Sequence, residues 1–156
     1  MNFRSSLFKQ QSFYLIFHQI EKVISLSKHE RLIKGIVGWV DLTNKNIDEN
    51  IKRLKNESNG KLVGFRHILD CESPDWIVDK VVKKGLKAVC DNKLTYDLLL
   101  RPHILKHAVE LANEFPEMTL IIDHISKPRM SSDKYDVQWS LDLKEASKFY
   151  NIYCKL

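Results

Sequence analysis

Short runs of β-branched, aromatic and aliphatic residues recur at Val37–Leu42, Leu62–Ile68, Leu94–Leu100, Thr119–Ile125 and Asn151–Leu156. Their starts lie 25, 32, 25 and 32 residues apart. A hairpin needs only about two to five residues between strands, so this spacing predicts a helix in every gap. The gaps supply them. Ile47, Ile51 and Leu54 make an i, i+4, i+7 stripe that Gly60 closes. Ser73 and Pro74 have the character of an N-cap and first helical position, with Val78, Val82, Leu86 and Val89 following on one face. Pro102 opens a third helix that turns Ile104, Leu105, Ala108, Leu111, Ala112 and Phe115 inward, and Trp139, Leu143, Ala146 and Tyr150 mark a fourth.

The strands are apolar on both faces, as parallel strands covered by helices must be. Two architectures satisfy that pattern, a doubly wound sheet and a (β/α)8 barrel. No GxGxxG or GxxxxGK[ST] follows a strand, which removes the main support for a nucleotide-binding open sheet. Polar residues gather instead at strand C-terminal ends: Asp41, Arg66 with His67, Tyr96 with Asp97, Asp123 with His124, and Lys155. In barrels that edge carries the active site. A complete barrel takes about 250 residues, and this chain has 156. The expected fold is α/β, a partial (β/α)8 TIM-type barrel of about five βα units.

Composition narrows the function classes. Hydrophobic residues make 44% and charged residues 29% of the chain, an ordinary globular balance. The net charge of +5 is uneven: residues 1–35 hold six Lys or Arg against two acids, and the remainder holds 19 against 18. A nearly neutral body offers no basic stripe for tracking phosphates, so nucleic acid is not expected as a partner. The longest apolar run, Phe13–Phe17, is far short of the roughly 18 residues of a membrane span. Cys71, Cys90 and Cys154 form no CxxC, which predicts reduced thiols and a cytoplasmic setting. Residues 1–20 carry Arg4, Lys9 and three serines with no acid, the composition of a mitochondrial transit peptide, and that alternative stays open.

Among the strand-end residues His124 is the sharpest. An imidazole there suits a carbonyl to be polarised or a developing oxyanion, and equally a structural hydrogen bond between loops. Strand parity groups Leu120, Ile122 and His124 on one face and predicts Asp123 as an outward, structural carboxylate. Arg66 offers a planar fork for a carboxylate or lactone carbonyl, or for a salt bridge to Asp41 or Asp97. Tyr96 and Asp97 divide evenly between substrate contact and strand-end packing. His103 and His107 have metal-ligand spacing, but Ile104 stands where an HExxH motif places its Glu, so solvated or capping roles are expected. No GxSxG and no Cys–His neighbour supports a nucleophilic mechanism.

Four motifs in order carry a family resemblance: Gly38-Trp39-Val40-Asp41-Leu42, Gly64-Phe65-Arg66-His67, Tyr96-Asp97-Leu98-Leu99-Leu100-Arg101-Pro102, and Asp123-His124-Ile125-Ser126-Lys127-Pro128. Together they resemble the amidohydrolase-related sugar lactonases of the amidohydrolase superfamily, a group with fuconolactonase-, rhamnonolactonase- and pyrone dicarboxylate lactonase-like members. The closing Asn151-Ile152-Tyr153-Cys154-Lys155-Leu156 is similar to the start of that family's seventh strand. The resemblance begins near Ile20 and leaves residues 1–19 as an unmatched segment. It implies a distorted (β/α)8 barrel that hydrolyses a small-molecule sugar lactone, with or without one divalent metal. His124 falls on the sixth-strand histidine that helps polarise the lactone carbonyl, and His67 stands as the second catalytic candidate. Arg66, Lys127, Tyr96 and Arg101 fall where the substrate is held.

Two departures accompany these matches. The family opens with HxH on its first strand, and none of His18, His29, His67, His103, His107 and His124 forms one. The family closes with an eighth-strand aspartate, the expected general base, and this sequence reaches only the seventh strand. Two expectations follow: a truncated lactonase chain that is inactive alone, or a noncatalytic binding or assembly fragment that self-associates through open sheet edges.

Overall fold

The computed structural model describes residues 19–129 and 136–156. Residues 19–29 are helical (α1). Then come β1 (Ile36–Gly38), α2 (Ile47–Glu57), β2 (Leu62–Ile68), α3 (Lys80–Asp91), β3 (Thr95–Leu99), α4 (Lys106–Glu114), β4 (Leu120–Ile122), α5 (Val137–Ala146) and β5 (Ile152–Cys154). The transit-peptide reading falls almost wholly outside the described residues.

The sheet order is β1-β2-β3-β4-β5, with every neighbouring pair parallel. That order decides between the two architectures. A doubly wound sheet reverses its direction part-way and carries helices on both faces. A barrel lays each strand beside the last, and right-handed crossovers then put every helix on the same side. The chain has the barrel order, as four successive βα units and a fifth strand. One sheet face is therefore covered by the helices, and the described residues leave the other bare.

The strand register assigns side chains to these faces. Phe65, Tyr96, Leu120 and Ile152 stand in one row, and His67, Leu98, Ile122 and Cys154 in the next of the same parity. Phe65, Tyr96, Leu98, Leu120 and Ile122 join Ile51, Leu54, Leu86, Val89, Ala108 and Leu111 of the helices in a single buried cluster. The intervening row is Arg66, Asp97, Ile121 and Tyr153. It points to the bare face, where Val37, Ile68 and Tyr153 are exposed.

Several element ends differ from those the sequence predicts, each for a local reason. The first strand ends at Gly38 rather than Leu42, and Asp41 then turns the chain by accepting from the Thr43 backbone N–H at 2.9 Å. Pro74 does not start α3. Asp79 caps it instead, accepting from the Val81 N–H at 2.7 Å, and residues 76–78 make a 3₁₀ turn before it. Pro102 likewise opens a 3₁₀ turn ahead of α4. Tyr150 lies past the end of α5 and is exposed, its hydroxyl donating to the Pro116 carbonyl at 3.0 Å. Asn151, buried at the entry to β5, donates to the carbonyls of Ala112, Phe115 and Met118, which ties that strand to the end of α4.

Gly85 on α3 sets how closely that helix approaches the turn after β1. A Cβ there would lie 2.2 Å from the Leu42 carbonyl oxygen and 2.8 Å from its Cα, both backbone atoms that no rotamer change can move. Gly85→Ala should therefore destabilise the fold by about 1–3 kcal/mol despite alanine's better helix propensity. Chemical denaturation of the two proteins checks this, and equal midpoints would refute the close approach.

Candidate active site

Four charged side chains meet at the C-terminal ends of β2–β5 on the bare face. Arg66 Nη1 donates to Asp123 Oδ2 at 3.1 Å. Lys155 Nζ bridges Asp97 Oδ2 and, at 3.1 Å, Asp123 Oδ1. Both carboxylates are only 1% exposed, whereas Arg66 and Lys155 are nearly half exposed and lie over them. Burial alone would push the Asp123 carboxyl up, but the hydrogen bonds from Lys155 and Arg66 outweigh it and hold the group below the usual carboxylate range. The Asp97 and Asp123 carboxylates hold the Lys155 ammonium above the ordinary lysine value. Asp97 Oδ1 is buried with no hydrogen-bond partner among the described residues.

The parity reading of Asp123 is thus corrected. Asp123 shares the face of Arg66 and Asp97, and Leu120 and Ile122 face the helices. The expected salt bridge of Arg66 exists, but its acid is Asp123 rather than Asp41 or Asp97. Asp97 takes the strand-end packing role, under Lys155.

After Ile122 the backbone leaves the strand, although the sequence predicts strand to Ile125. His124 (φ 51°, ψ 40°), Ile125 (φ 42°, ψ 33°), Ser126 (φ 62°) and Lys127 (φ 50°, ψ 58°) are all left-handed, and none is glycine. Such residues cost roughly 1–2 kcal/mol each, so the surroundings must hold the turn in place. The Ile125 N–H donates to the Lys155 carbonyl at 2.9 Å, Trp139 Nε1 donates to the Ile125 carbonyl at 2.7 Å, and the Lys127 N–H donates to the His124 carbonyl at 2.8 Å. His124 is left exposed at the strand end, and Lys127 is half-buried.

A cavity of about 730 Å³ opens beside this turn. The segment after β2 lines it with Leu69, Asp70, Glu72 and Pro74, the segment after β3 with Arg101 and His103, and the left-handed turn with Lys127. Arg101 is clamped by Asp70 in a two-point contact, Nε to Oδ1 at 2.7 Å and Nη2 to Oδ2 at 2.9 Å. The hydrogen bond from Arg101 draws the Asp70 carboxyl below its ordinary value. Asp70 went unnoticed in the sequence because it lies two residues past the strand, and only its partner Arg101 sat in a motif.

Two other expected site residues lie elsewhere. Tyr96 is packed under the helices, its hydroxyl buried without a partner among the described residues, and burial pushes its acidity far from the working range. It does not reach the bare face, so strand-end packing replaces substrate contact. His67 is also on the covered face, buried against Trp39 and Trp76. Arg66, Lys127, Arg101 and His124 remain on or beside the C-terminal rim. His103 lines the cavity, whereas His107 is buried between Asp75 (3.1 Å) and Glu110 (3.5 Å) rather than solvated.

Among the described residues no three His, Cys, Asp or Glu side chains gather where a metal ion could be held. Three of the four carboxylate oxygens on the bare face are turned to Lys155 and Arg66, which leaves the single Asp97 Oδ1 without a partner among the described residues. These residues do not fit a metal centre. No described helix is long and apolar enough to cross a membrane.

Comparison with known proteins agrees with this geometry. The Amidohydrolase family model matches residues 22–156. An L-fucono-1,5-lactonase of Burkholderia ambifaria is 28% identical over 135 residues, covering 86% of this chain and 46% of the lactonase. The crystal structure of an amidohydrolase from Burkholderia multivorans, with bound zinc, superposes with a TM-score of 0.79 at 26% identity, over 87% of this chain and 48% of that one. A probable 2-pyrone-4,6-dicarboxylic acid hydrolase of Acinetobacter baumannii, solved with citric acid, shares the fold, with a TM-score of 0.63 at 18% identity, over 79% and 44% of the two chains. The chain spans about half the length of the relatives it matches.

Proposed function

This chain belongs to the amidohydrolase family, and from that premise we propose that it is the central part of a hydrolase opening the ester ring of a sugar lactone. One observation carries the reading: charged side chains converge at the C-terminal ends of successive parallel strands on the face the helices leave bare, beside an open cavity. In the reaction water adds to the lactone carbonyl carbon, the ring C–O bond breaks with a proton passing to the leaving ring oxygen, and the hydroxy acid ionises to a hydroxy carboxylate and a proton. His124, held out on its strained turn, is assigned the carbonyl oxygen. Lys127 and Arg101 in the cavity, with Arg66 at the strand ends of the bare face, are assigned the hydroxyl or acidic groups of the substrate.

None of the described acids is placed as a general base. Asp97 and Asp123 are engaged by cations, and the sequence holds no HxH. The 156-residue chain alone should accordingly turn over an aldono-1,5-lactone far below the roughly 1–10³ per second of ordinary enzymes. Proton release followed with an indicator dye checks this, and an ordinary turnover number would overturn it. The substrate assignment is tested separately by titrating the lactone into ¹⁵N-labelled chain. Amide shifts at Arg66, Arg101 and residues 124–127 are expected, and a lactone that moves none of them refutes the site.

The bare face favours a second reading. Val37, Ile68 and Tyr153 are exposed on it, and β1 and β5 are the outer strands of an open sheet. On this reading the chain is a noncatalytic assembly module that self-associates. Sedimentation velocity at micromolar concentration should then show species larger than the monomer, and a single monomeric boundary would count against it.

A further inference from the structure

His67 stands at the root of the segment that joins β2 to α3, and that segment walls the cavity with Leu69, Asp70, Glu72 and Pro74. Contacts with Trp39, Glu72 and Trp76 hold the imidazole. Trp39 Nε1 donates to Nδ1 at 2.9 Å, Glu72 Oε1 lies 3.3 Å from Nε2, and the Trp76 ring stacks on it with centroids 4.2 Å apart and planes 22° from parallel. An indole N–H can only donate. Nδ1 must therefore present a lone pair, which leaves the ring's one proton on Nε2, donated to Glu72. A charged His67–Glu72 ion pair would set an Nδ1–H against the indole N–H at hydrogen-bond distance. The geometry selects the neutral form even though the Glu72 side chain is itself buried.

We propose that His67 is a positioning residue: as the neutral Nε2–H tautomer it links Trp39, just past β1, to Glu72 in the cavity wall, and so fixes where that wall stands. It touches no reacting atom, since its ring faces the helices while Arg66 beside it faces the bare side. Asp70 and Asp75 anchor the same segment independently, through Arg101 and His107. The parts that depend on His67 are therefore Glu72 and Trp76, the two residues of the segment that contact its ring, on either side of the Asp75 anchor. The inference concerns the chain's own geometry and stands apart from the lactone reading, because its readouts need no substrate.

Long-range ¹H–¹⁵N correlation on the histidine rings at pH 7 should show one protonated nitrogen, Nε2, for His67 in the wild-type chain. A proton on Nδ1, in the other tautomer or in the charged ring, would overturn the proposal without any variant having to fold. Glu72→Gln keeps an acceptor for Nε2–H and removes the charge, so it should leave that ring signature unchanged. If the contact were an ion pair, the signature would change. His67→Phe keeps a ring against Trp76 but deletes both hydrogen bonds. It should speed exchange of the Glu72 and Trp76 amides, which close the turns onto Leu69 and Ser73, by about tenfold or more. Unchanged exchange in His67→Phe would show that the wall stands without the relay.

Discussion

Lys155→Met should destabilise the fold by about 3 kcal/mol at neutral pH, near the lower end of what breaking a buried ion pair costs. The methionine keeps most of the apolar stem, so the loss is one of charge. Without the ammonium, Asp97 and Asp123 remain buried at 1% exposure with only Arg66 opposite one of them. The half-exposed position of Lys155 keeps the effect from reaching the upper end, since water screens part of the attraction. For a chain of this size the change corresponds to a fall of about 6–12 °C in Tm. Lys155→Arg, which restores the charge, should recover most of it. A Met variant within about 0.5 kcal/mol of the wild type would show that the cluster contributes nothing.

The pH dependence supplies a second signature of the same cluster. Asp123 is held below its unfolded value, so its contribution is present above about pH 4 and is lost as the pH falls through the folded value. Lys155 is held above its unfolded value, so its contribution is present below about pH 10 and is lost as the pH rises through the folded value. In Lys155→Met the Asp123 carboxylate loses one of the two cations that offset its burial, and protonating it relieves the variant. The gap between the two proteins should be widest in the neutral range and should narrow below about pH 4. Urea denaturation at pH 3 and pH 7 measures both ends.

The spacing of apolar runs was enough to place five parallel strands, because a strand–helix–strand unit has a nearly fixed length and the register then follows from the sheet. Parity was a weaker guide. In a strand that is apolar on both faces, Leu120-Ile121-Ile122 reads the same from either side, and only the helices packed above it tell which set points inward. Strand parity therefore puts Asp123 on the wrong face, and its pairing with Arg66 and Lys155 is lost although all four members of the cluster stand among the strand-end residues. The left-handed turn was hidden for another reason. Asp123-His124-Ile125-Ser126-Lys127 contains no glycine or asparagine, the residues that ordinarily announce positive φ. What holds that turn comes from Trp139 and Lys155, 14 and 30 residues away from Ile125 in sequence. Contacts of that kind have no local signal. Arg66 was legible at the end of a strand that the pattern already marked, whereas Arg101 and Lys127 were legible through the motifs that carry the family resemblance.

His124→Ala, made in a chain carrying the remaining strands of the barrel, should lower kcat by about a hundredfold, or roughly 3 kcal/mol of transition-state stabilisation. The turn holds His124 at the end of β4 in a conformation no ordinary strand residue adopts, and such strain persists where the surrounding structure enforces it. An imidazole at the lactone oxygen acts most strongly as negative charge develops there, so the loss should fall on kcat with KM nearly unchanged. Lys127→Ala should do the reverse. Lys127 lines the cavity between Asp70 and the turn and is assigned a part of the substrate that does not react, so KM should rise while kcat holds. Steady-state kinetics on one aldono-1,5-lactone separates the two variants. Circular dichroism and Tm come first, because removing a side chain from a strained turn can also release the strain, and the kinetic comparison is meaningful only between folded proteins. A folded His124→Ala with wild-type kcat would make His124 a structural element of the turn. Stabilisation of the lactone oxygen would then have to come from Arg66, the exposed guanidinium on the bare face at the same strand ends.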